Sequence, residues 1–195
     1  MLISLIDADL VAYRCSASAE NDGMDIAIAR ADKLMRIIID KTKATSYKAF
    51  LTGDNNFRKE INPLYKANRK DTVAPRFLQH CREFLVVEWG ASVTDGYEAD
   101  DALGFNQTED TIICSIDKDM LMIPGKHFNF VREEFSEVSE LEGIKAFYRQ
   151  MLIGDTSDNV FGIEGIGKVK AGKIIDPLST EEEMYNKVTT LYADP

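Results

Sequence analysis

Short apolar runs that stop on acidic or turn residues, spaced by segments of helical period, restrict this chain to an α/β architecture. Leu2–Ile6 reads as a buried strand ending at Asp7, and Tyr47–Leu51 as a second strand closed by Gly53-Asp54-Asn55-Asn56. Thr111–Ser115 is a third, followed at once by Asp117-Lys118-Asp119. Asp9–Ala19 and Asp25–Lys41 carry helical periodicity, with Ile28, Ala31, Leu34, Met35 and Ile38 on one stripe. Arg58–Ala74, interrupted by Asn62-Pro63, reads as a loop or broken helix; Pro75 can start a helix reaching about Val87. Ala91–Thr94 is a short strand and His127–Val131 an outer one. Ser139 with Glu142 has capping-box spacing and opens a helix to about Ile153; a lysine-bearing helix starts at Lys168, and Ser179 with Glu182 caps a last one. This alternation predicts a mostly parallel sheet covered by helices on both faces.

The acidic residues follow the strands. In Tyr97-Glu98-Ala99-Asp100-Asp101, at the start of a helix, Glu98 and Asp101 share one face and Asp100 flanks them. At about 5 Å and an effective dielectric of about 20, each ionised pair costs about 3 kcal/mol, so such a group holds protons or recruits cations. Oxygen-only donors suit Mg²⁺ and Mn²⁺. Taken alone, a solvated helix start favoured by the helix dipole explains the cluster better. Recurrence changes the reading, because Asp7 follows one strand, Glu98, Asp100 and Asp101 another, and Asp117 and Asp119 a third. In open α/β sheets, sites form outside the carboxyl ends of the strands. Three segments therefore deliver carboxylates to one edge.

A net charge of −10 argues against a nucleic-acid partner until its placement is considered. If Asp7, Glu98, Asp100, Asp101, Asp117, Asp119, Asp155 and Asp158 share a metal site, they account for −8 of it. From Arg58 to Arg82 seven basic residues face two acids, a local net of +5. A basic region beside an acidic pocket suits a metal-dependent enzyme acting on phosphates. Hydrophobic content of 45% supports a real core, and no apolar run approaches the roughly 18 residues of a membrane span. The apolar start stops at Asp7 without a basic leader, so no signal peptide is expected. Cys15, Cys81 and Cys114 are widely spaced and odd in number, which fits buried thiols in a reducing cytoplasm.

Gly154-Asp155-Thr156-Ser157-Asp158-Asn159 adds two acids three apart, and Val160 to Gly167 continues with glycines at 162, 165 and 167. Glycines between two helices let backbone N–H groups approach a phosphate, and the entering helix, with Lys168, Lys170 and Lys173, favours an anion at its N-terminus. A tight helix–helix turn is the plainer alternative. Gly162 to Lys168 also matches a P-loop spacing, but Val169 stands where a hydroxyl is needed and the segment follows a helix, which excludes nucleotide triphosphatase chemistry.

Taken in order, Asp7, Phe57-Arg58 leading to Tyr65-Lys66-Ala67-Asn68-Arg69, Glu98-Ala-Asp100-Asp101, Ser115-Ile-Asp117-Lys118-Asp119, and Gly154-Asp155-x-x-Asp158-Asn159 with Gly162, Gly165 and Gly167 resemble the 5′→3′ exonuclease / flap endonuclease family. That family includes phage exonucleases and the 5′-nuclease domain of bacterial DNA polymerase I. The resemblance implies a PIN-like α/β domain at 1–138 with a short arch at about 57–76, and a helix-three-turn-helix subdomain at 139–195. It implies a first metal held by Asp7, Glu98, Asp100 and Asp117 with Asp119 close by, and a second held by Asp101, Asp155 and Asp158. The two are Mg²⁺, with Mn²⁺ as a substitute, and K⁺ is implied at the glycine turn. By the same likeness Lys66 and Arg69 hold the scissile phosphate. Arg58, Tyr65, Lys70, Gly162, Gly165, Gly167, Lys168 and Lys170 contact DNA. The family's aspartate after the second strand is displaced here to Asp54. The implied protein is a monomer in a bacterial or phage-infected cytoplasm, cutting DNA at 5′ ends, flaps or nicks, with RNA–DNA hybrids left open.

Two rivals differ in class. Asp7-Ala-Asp9-Leu10-Val11 fits the nucleophile motif of haloacid-dehalogenase-type phosphatases, which would need Asp9 as acid/base. A non-catalytic DNA-structure-binding module is the other, though eight carboxylates would hinder binding alone. His80 and His127 are isolated and no nucleophile–histidine arrangement is visible. Glu133–Glu142 reads as a solvated face that bound DNA avoids.

Overall fold

The apolar runs become strands, and their burial shows why they are apolar throughout. In the computed structural model, which describes residues 1–193, Ile3–Asp7 (β1) is buried from Ser4 onward. Ser46–Leu51 (β2), Ser92–Val93 (β3), Thr111–Cys114 (β4), Gly125–Asn129 (β5) and Glu134–Val138 (β6) complete a six-stranded sheet in the order β3-β2-β1-β4-β5-β6. The β1–β2, β1–β4, β2–β3 and β4–β5 pairings are all parallel. A parallel strand covered on both faces has no polar side to alternate with, and β4 is buried at all of its positions.

The helices are Ala8–Ser18 (α1), Met24–Thr42 (α2), Phe57–Ile61 (α3), Leu78–Trp89 (α4), Ala99–Asn106 (α5), Glu140–Ile153 (α6), Lys168–Ile175 (α7) and Glu181–Ala193 (α8). Single 3₁₀ turns lie at Ala67–Arg69 and Lys118–Met122. The α2 stripe that is fully buried reads Ala27, Ala31, Met35 and Ile38, one residue ahead of the expected Ile28 start. Alanines there, with Ala12 and Cys15 of α1 and Cys81 and Leu85 of α4, let three helices close on the sheet.

The described chain divides into two compact units. The first comprises residues 1–57, 72–120 and 125–137 and contains the sheet; the second comprises 58–71, 121–124 and the chain from 138. The second has its own core of Tyr148, Leu152, Ile166, Ala171, Ile175, Met184 and Val188. The last two residues of the expected helical subdomain, 194 and 195, lie outside the described residues. No helix among the described residues is long and apolar enough to cross a membrane.

Three local expectations need correction. The helix expected from Pro75 starts at Leu78. The outer strand begins at Gly125, and a further edge strand, β6, lies beyond it. β6 is exposed at all but its last position and carries Glu134 and Glu137, charges of the kind by which natural edges resist pairing; besides its hydrogen bonds to β5, Phe135 stacks on Phe128, centroids 4.6 Å apart. The last helix is capped one residue later than expected: the Glu183 carboxylate accepts from the Ser179 and Thr180 N–H groups, and Thr180 Oγ1 accepts from the Glu183 N–H. By contrast, the Ser139–Glu142 capping box forms as the spacing predicts.

Candidate active site

Parallel register puts the ends of the inner strands at one height. Asp7 is level with Phe50 of β2, and Ile6 with Cys114 of β4, so Asp7, Thr52 and Ser115 emerge together at the carboxyl edge. Asp7 is both the last residue of β1 and the N-cap of α1, its Oδ1 accepting from the Leu10 N–H at 3.1 Å. Ser115 Oγ donates to Asp7 Oδ2 at 2.8 Å and accepts from the Asp117 N–H at 3.1 Å. Asp117 Oδ1 in turn accepts from the Asp119 N–H at 2.8 Å. One relay thus holds the Asp7 and Asp117 carboxylates and the Asp119 backbone.

Asp7 is only 1% exposed, and no basic side chain among the described residues pairs with it. Burial pushes its carboxyl up to about 7, with Asp9 and Asp117 adding repulsion against two opposing hydrogen bonds. Burying an ionised carboxylate without a countercharge is costly.

The α5 N-terminus hangs on the same edge. Glu98 is its N-cap, buried, with Oε1 accepting from Asn56 Nδ2 at 2.8 Å. The Asp101 carboxylate accepts from the Glu98 N–H at 3.0 Å, and Thr52 Oγ1 accepts from the Ala99 N–H at 3.0 Å. Beside it Gly53 lets the Thr94 backbone close in, since a Cβ there would lie 2.1 Å from the Thr94 carbonyl oxygen. Glu98 and Asp101 therefore also serve the helix start, and Asp100 lies between them in its first turn. Among the described residues no three acidic, histidine or cysteine side chains close into a ready-made metal cage. The donor set still fits a hard divalent cation. It is all oxygen, and Mg²⁺ commonly takes one or two carboxylates and completes its shell with water and substrate phosphate.

Asp9 belongs to this edge in a different role. Its Oδ2 accepts from the Thr52 N–H at 2.8 Å and its Oδ1 pairs with Arg82 Nη1, while Arg82 Nη2 donates to the Thr52 carbonyl. Both carboxylate oxygens are committed to holding α4 against the β2 end, not presented as an acid or base. Asp54 lies exposed in the turn after β2, and His127 is buried within β5.

In the second unit the segment 58–71 is bound to the glycine-rich loop. Asp158 receives the Tyr65 hydroxyl at 2.7 Å and Arg69 Nη2 at 2.5 Å, with Lys66 Nζ at 3.8 Å. The Lys66 N–H donates to the Asp158 carbonyl, Arg69 Nε to that of Ser157, Asn68 Nδ2 to that of Thr156, and Asn159 Nδ2 to that of Leu64. Asp155 Oδ1 accepts from the N–H and hydroxyl of Ser157. Tyr65 is buried, whereas Lys70, Lys168 and Lys170 are exposed; Arg58 lies in α3.

The loop itself forms a two-residue antiparallel pair, Gly154–Asp155 (β7) with Val160–Phe161 (β8). A Cβ on Gly154 would stand 2.2 Å from the Gly162 nitrogen, and one on Gly162 2.3 Å from the Ile153 carbonyl carbon. Gly165, at φ +73°, and Gly167, the N-cap of α7, instead face open space.

Sequence reasoning missed Ser115, Asn56, Thr52 and Arg82 as supports of the carboxylates. Ser115 alone had a signal, two residues before Asp117 at a strand end.

A family model described as 5′-3′ exonuclease, N-terminal resolvase-like domain, matches residues 2–149. DNA polymerase I of Caldicellulosiruptor bescii is 32% identical over 162 residues, covering 67% of this chain but 18% of that protein. The 5′-3′ exonuclease of Buchnera aphidicola subsp. Schizaphis graminum is 26% identical over 219 residues, covering 99% of this chain and 76% of that protein. The chain thus spans under a fifth of the polymerase and about three quarters of the separate exonuclease. Among solved structures, the bacteriophage T5 flap endonuclease in a complex with DNA and metal ions superposes with a TM-score of 0.70 at 16% identity, covering 98% of this chain and 89% of that one. At that identity the likeness is one of fold.

Proposed function

We propose, since the chain belongs to the 5′-3′ exonuclease family through its N-terminal resolvase-like domain, that it hydrolyses phosphodiesters near DNA 5′ ends with divalent metal. The observation that carries this reading is Asp7: a buried carboxylate without a basic partner, tied through Ser115 to Asp117 at the carboxyl edge of the sheet. Asp7, Glu98, Asp100, Asp101, Asp117 and Asp119 would hold the cation on the first unit, Mg²⁺ first and Mn²⁺ as a substitute. Asp155 and Asp158 are further carboxylate ligands, proposed on the second. Such a cation, when bound, acidifies a water and offsets charge on the scissile phosphate and leaving oxygen.

The chain's own groups orient and restrain. Ser115 holds Asp7 and the Asp117 backbone in one geometry, and Asn56 fixes the Glu98 carboxylate. Lys66 and Arg69, paired here with Asp158, offer cations that exchange that oxyanion for a phosphate. Gly165 and Gly167, with Lys168 and Lys170 on α7, form the backbone-reading turn, where K⁺ would also sit. Phosphate contacts carry no base information, so substrate choice follows DNA structure. The phosphatase rival loses its acid/base, because Asp9 is bound to Arg82 and the Thr52 N–H.

Cleavage of 5′-labelled duplex, flap and RNA–DNA hybrid in Mg²⁺, Mn²⁺, Ca²⁺ and EDTA tests the reading. Asp117→Asn and Asp101→Asn are expected to abolish Mg²⁺-dependent cleavage with the fold retained. An unchanged rate in either variant, or equal cleavage in EDTA, overturns it.

A further inference from the structure

Away from the carboxyl edge, the sheet-bearing unit has a pocket of about 450 Å³ bounded by α2, the start of β2 and the end of α4. Its wall is aromatic. Tyr47 and Trp89 meet edge to face with centroids 5.5 Å apart, the Tyr47 hydroxyl donating to the Trp89 carbonyl, and Phe84 also lines the space. A second pocket of about 440 Å³, reaching Phe50 and Ser92, shares the same Tyr47–Trp89 pair.

The charges in the first pocket are unbalanced. Of Asp25, Asp32 and Glu88, only Asp32 is spent: it accepts from Arg36 Nε at 2.8 Å and from Trp89 Nε1 at 3.2 Å. Arg36 is the one basic residue in the lining, and its guanidinium carbon lies 5.5 Å from the Trp89 ring centroid. Neither Asp25 nor Glu88 makes a hydrogen bond or ion pair among the described residues. The lining thus offers two uncompensated carboxylates beside an aromatic wall that already hosts one guanidinium. That combination selects for a cation on an apolar stem and against an anion, nucleic acid included.

We propose that this groove binds a basic segment of a partner protein, an arginine or lysine placing its charge between Asp25 and Glu88 and its stem on Phe84. Complementary charge identifies the occupant, since the lining that remains after the Asp32–Arg36 pair carries two negative charges and no positive one. Its position suits recruitment. Tyr47 is in register with Ser4, three residues before the Phe50–Asp7 pair, about 10 Å along the strand from the carboxyl edge. An occupant there leaves Asp7 and its neighbours clear.

Trp89 is the only tryptophan in the chain, so its indole Nε1–H gives one assignable NMR resonance that reports this pocket directly. The probe is acetyl-Leu-Arg-Leu-Arg-amide titrated into the full chain, beside the same peptide with citrulline for arginine. The expected result is a saturable shift of the indole resonance, with the arginine peptide binding about fivefold or more tighter than the citrulline one. The double variant Asp25→Asn/Glu88→Gln should lose that preference while keeping its melting temperature and its DNA cleavage. A shift that does not saturate, equal response to both peptides, or an unaltered preference in the double variant overturns the proposal.

Discussion

At the scale of single residues the carboxyl edge is a compromise between stability and chemistry, and Asp7 shows its cost. A carboxylate buried to this degree and lacking a basic partner among the described residues is costly to keep ionised in the fold. An asparagine retains the N-cap acceptor and a place for Ser115 without the buried charge. Asp7→Asn is therefore expected to melt no lower than the parent in EDTA at pH 8 while losing Mg²⁺-dependent cleavage; a clear drop in melting temperature would give Asp7 a structural role instead. Ser115→Ala acts in the opposite sense. It removes the donor to Asp7 and the acceptor of the Asp117 N–H, and should cost about 1–3 kcal/mol by denaturant unfolding as well as slow cleavage. Asp7, Glu98 and Asp117 were legible because acids at strand ends are chemically conspicuous. The bond from Ser115 to Asp7 was not, since the two lie 108 positions apart, and neither was the pairing of Asp9 with Arg82, 73 positions apart. Local pattern shows which side chains reach an edge, whereas long-range hydrogen bonds decide which are spent there.

At the scale of elements the glycine loop separates folding from recognition. All of its glycines look alike in sequence, yet the structure divides them. Gly162→Ala would press a Cβ onto backbone atoms of Leu152, Ile153 and Gly154, none of which can turn aside, so it should destabilise by at least about 2 kcal/mol. Gly167→Ala meets nothing within 4 Å and has an extended φ of −91°. Alanine's poorer N-cap preference and its smaller unfolded-state entropy oppose one another there, leaving stability within about 1 kcal/mol. The same methyl stands where a phosphate would approach, and duplex affinity in Ca²⁺ should fall severalfold. Equal affinity in Gly167→Ala would remove this turn from the DNA contact. The capping pairs teach a related lesson: Ser139–Glu142 formed as read, while Thr180–Glu183 displaced Ser179–Glu182 because two overlapping Ser/Thr-x-x-Glu spacings satisfy the same rule.

At the scale of the whole molecule, the parallel sheet was legible from alternation alone, but the allocation of segments to units was not. Residues 58–71 belong with the helical unit because Tyr65, Asn68 and Arg69 bond to residues 156–158, some 90 positions on, and sequence distance hides such ties. Charge is the property that acts over the full chain. With a net of −10, the chain as a whole would repel DNA, so the proposed function asks local cations, and divalent ions at the carboxylates, to supply the binding. Each phosphate neutralised by a lysine contributes about 0.9 to the slope of log K against log salt. Lys168→Ala/Lys170→Ala removes two exposed cations from α7 and should lower duplex affinity in Ca²⁺ with a slope shallower by about 2, uniformly across DNA sequences. Lys187→Ala, an exposed lysine on α8, changes net charge without touching the turn and should leave the slope nearly unaltered. If both variants shift the slope equally, attraction is diffuse and α7 has no privileged contact; if only the α7 pair does, the cations that overcome the chain's own charge are those beside the glycine turn.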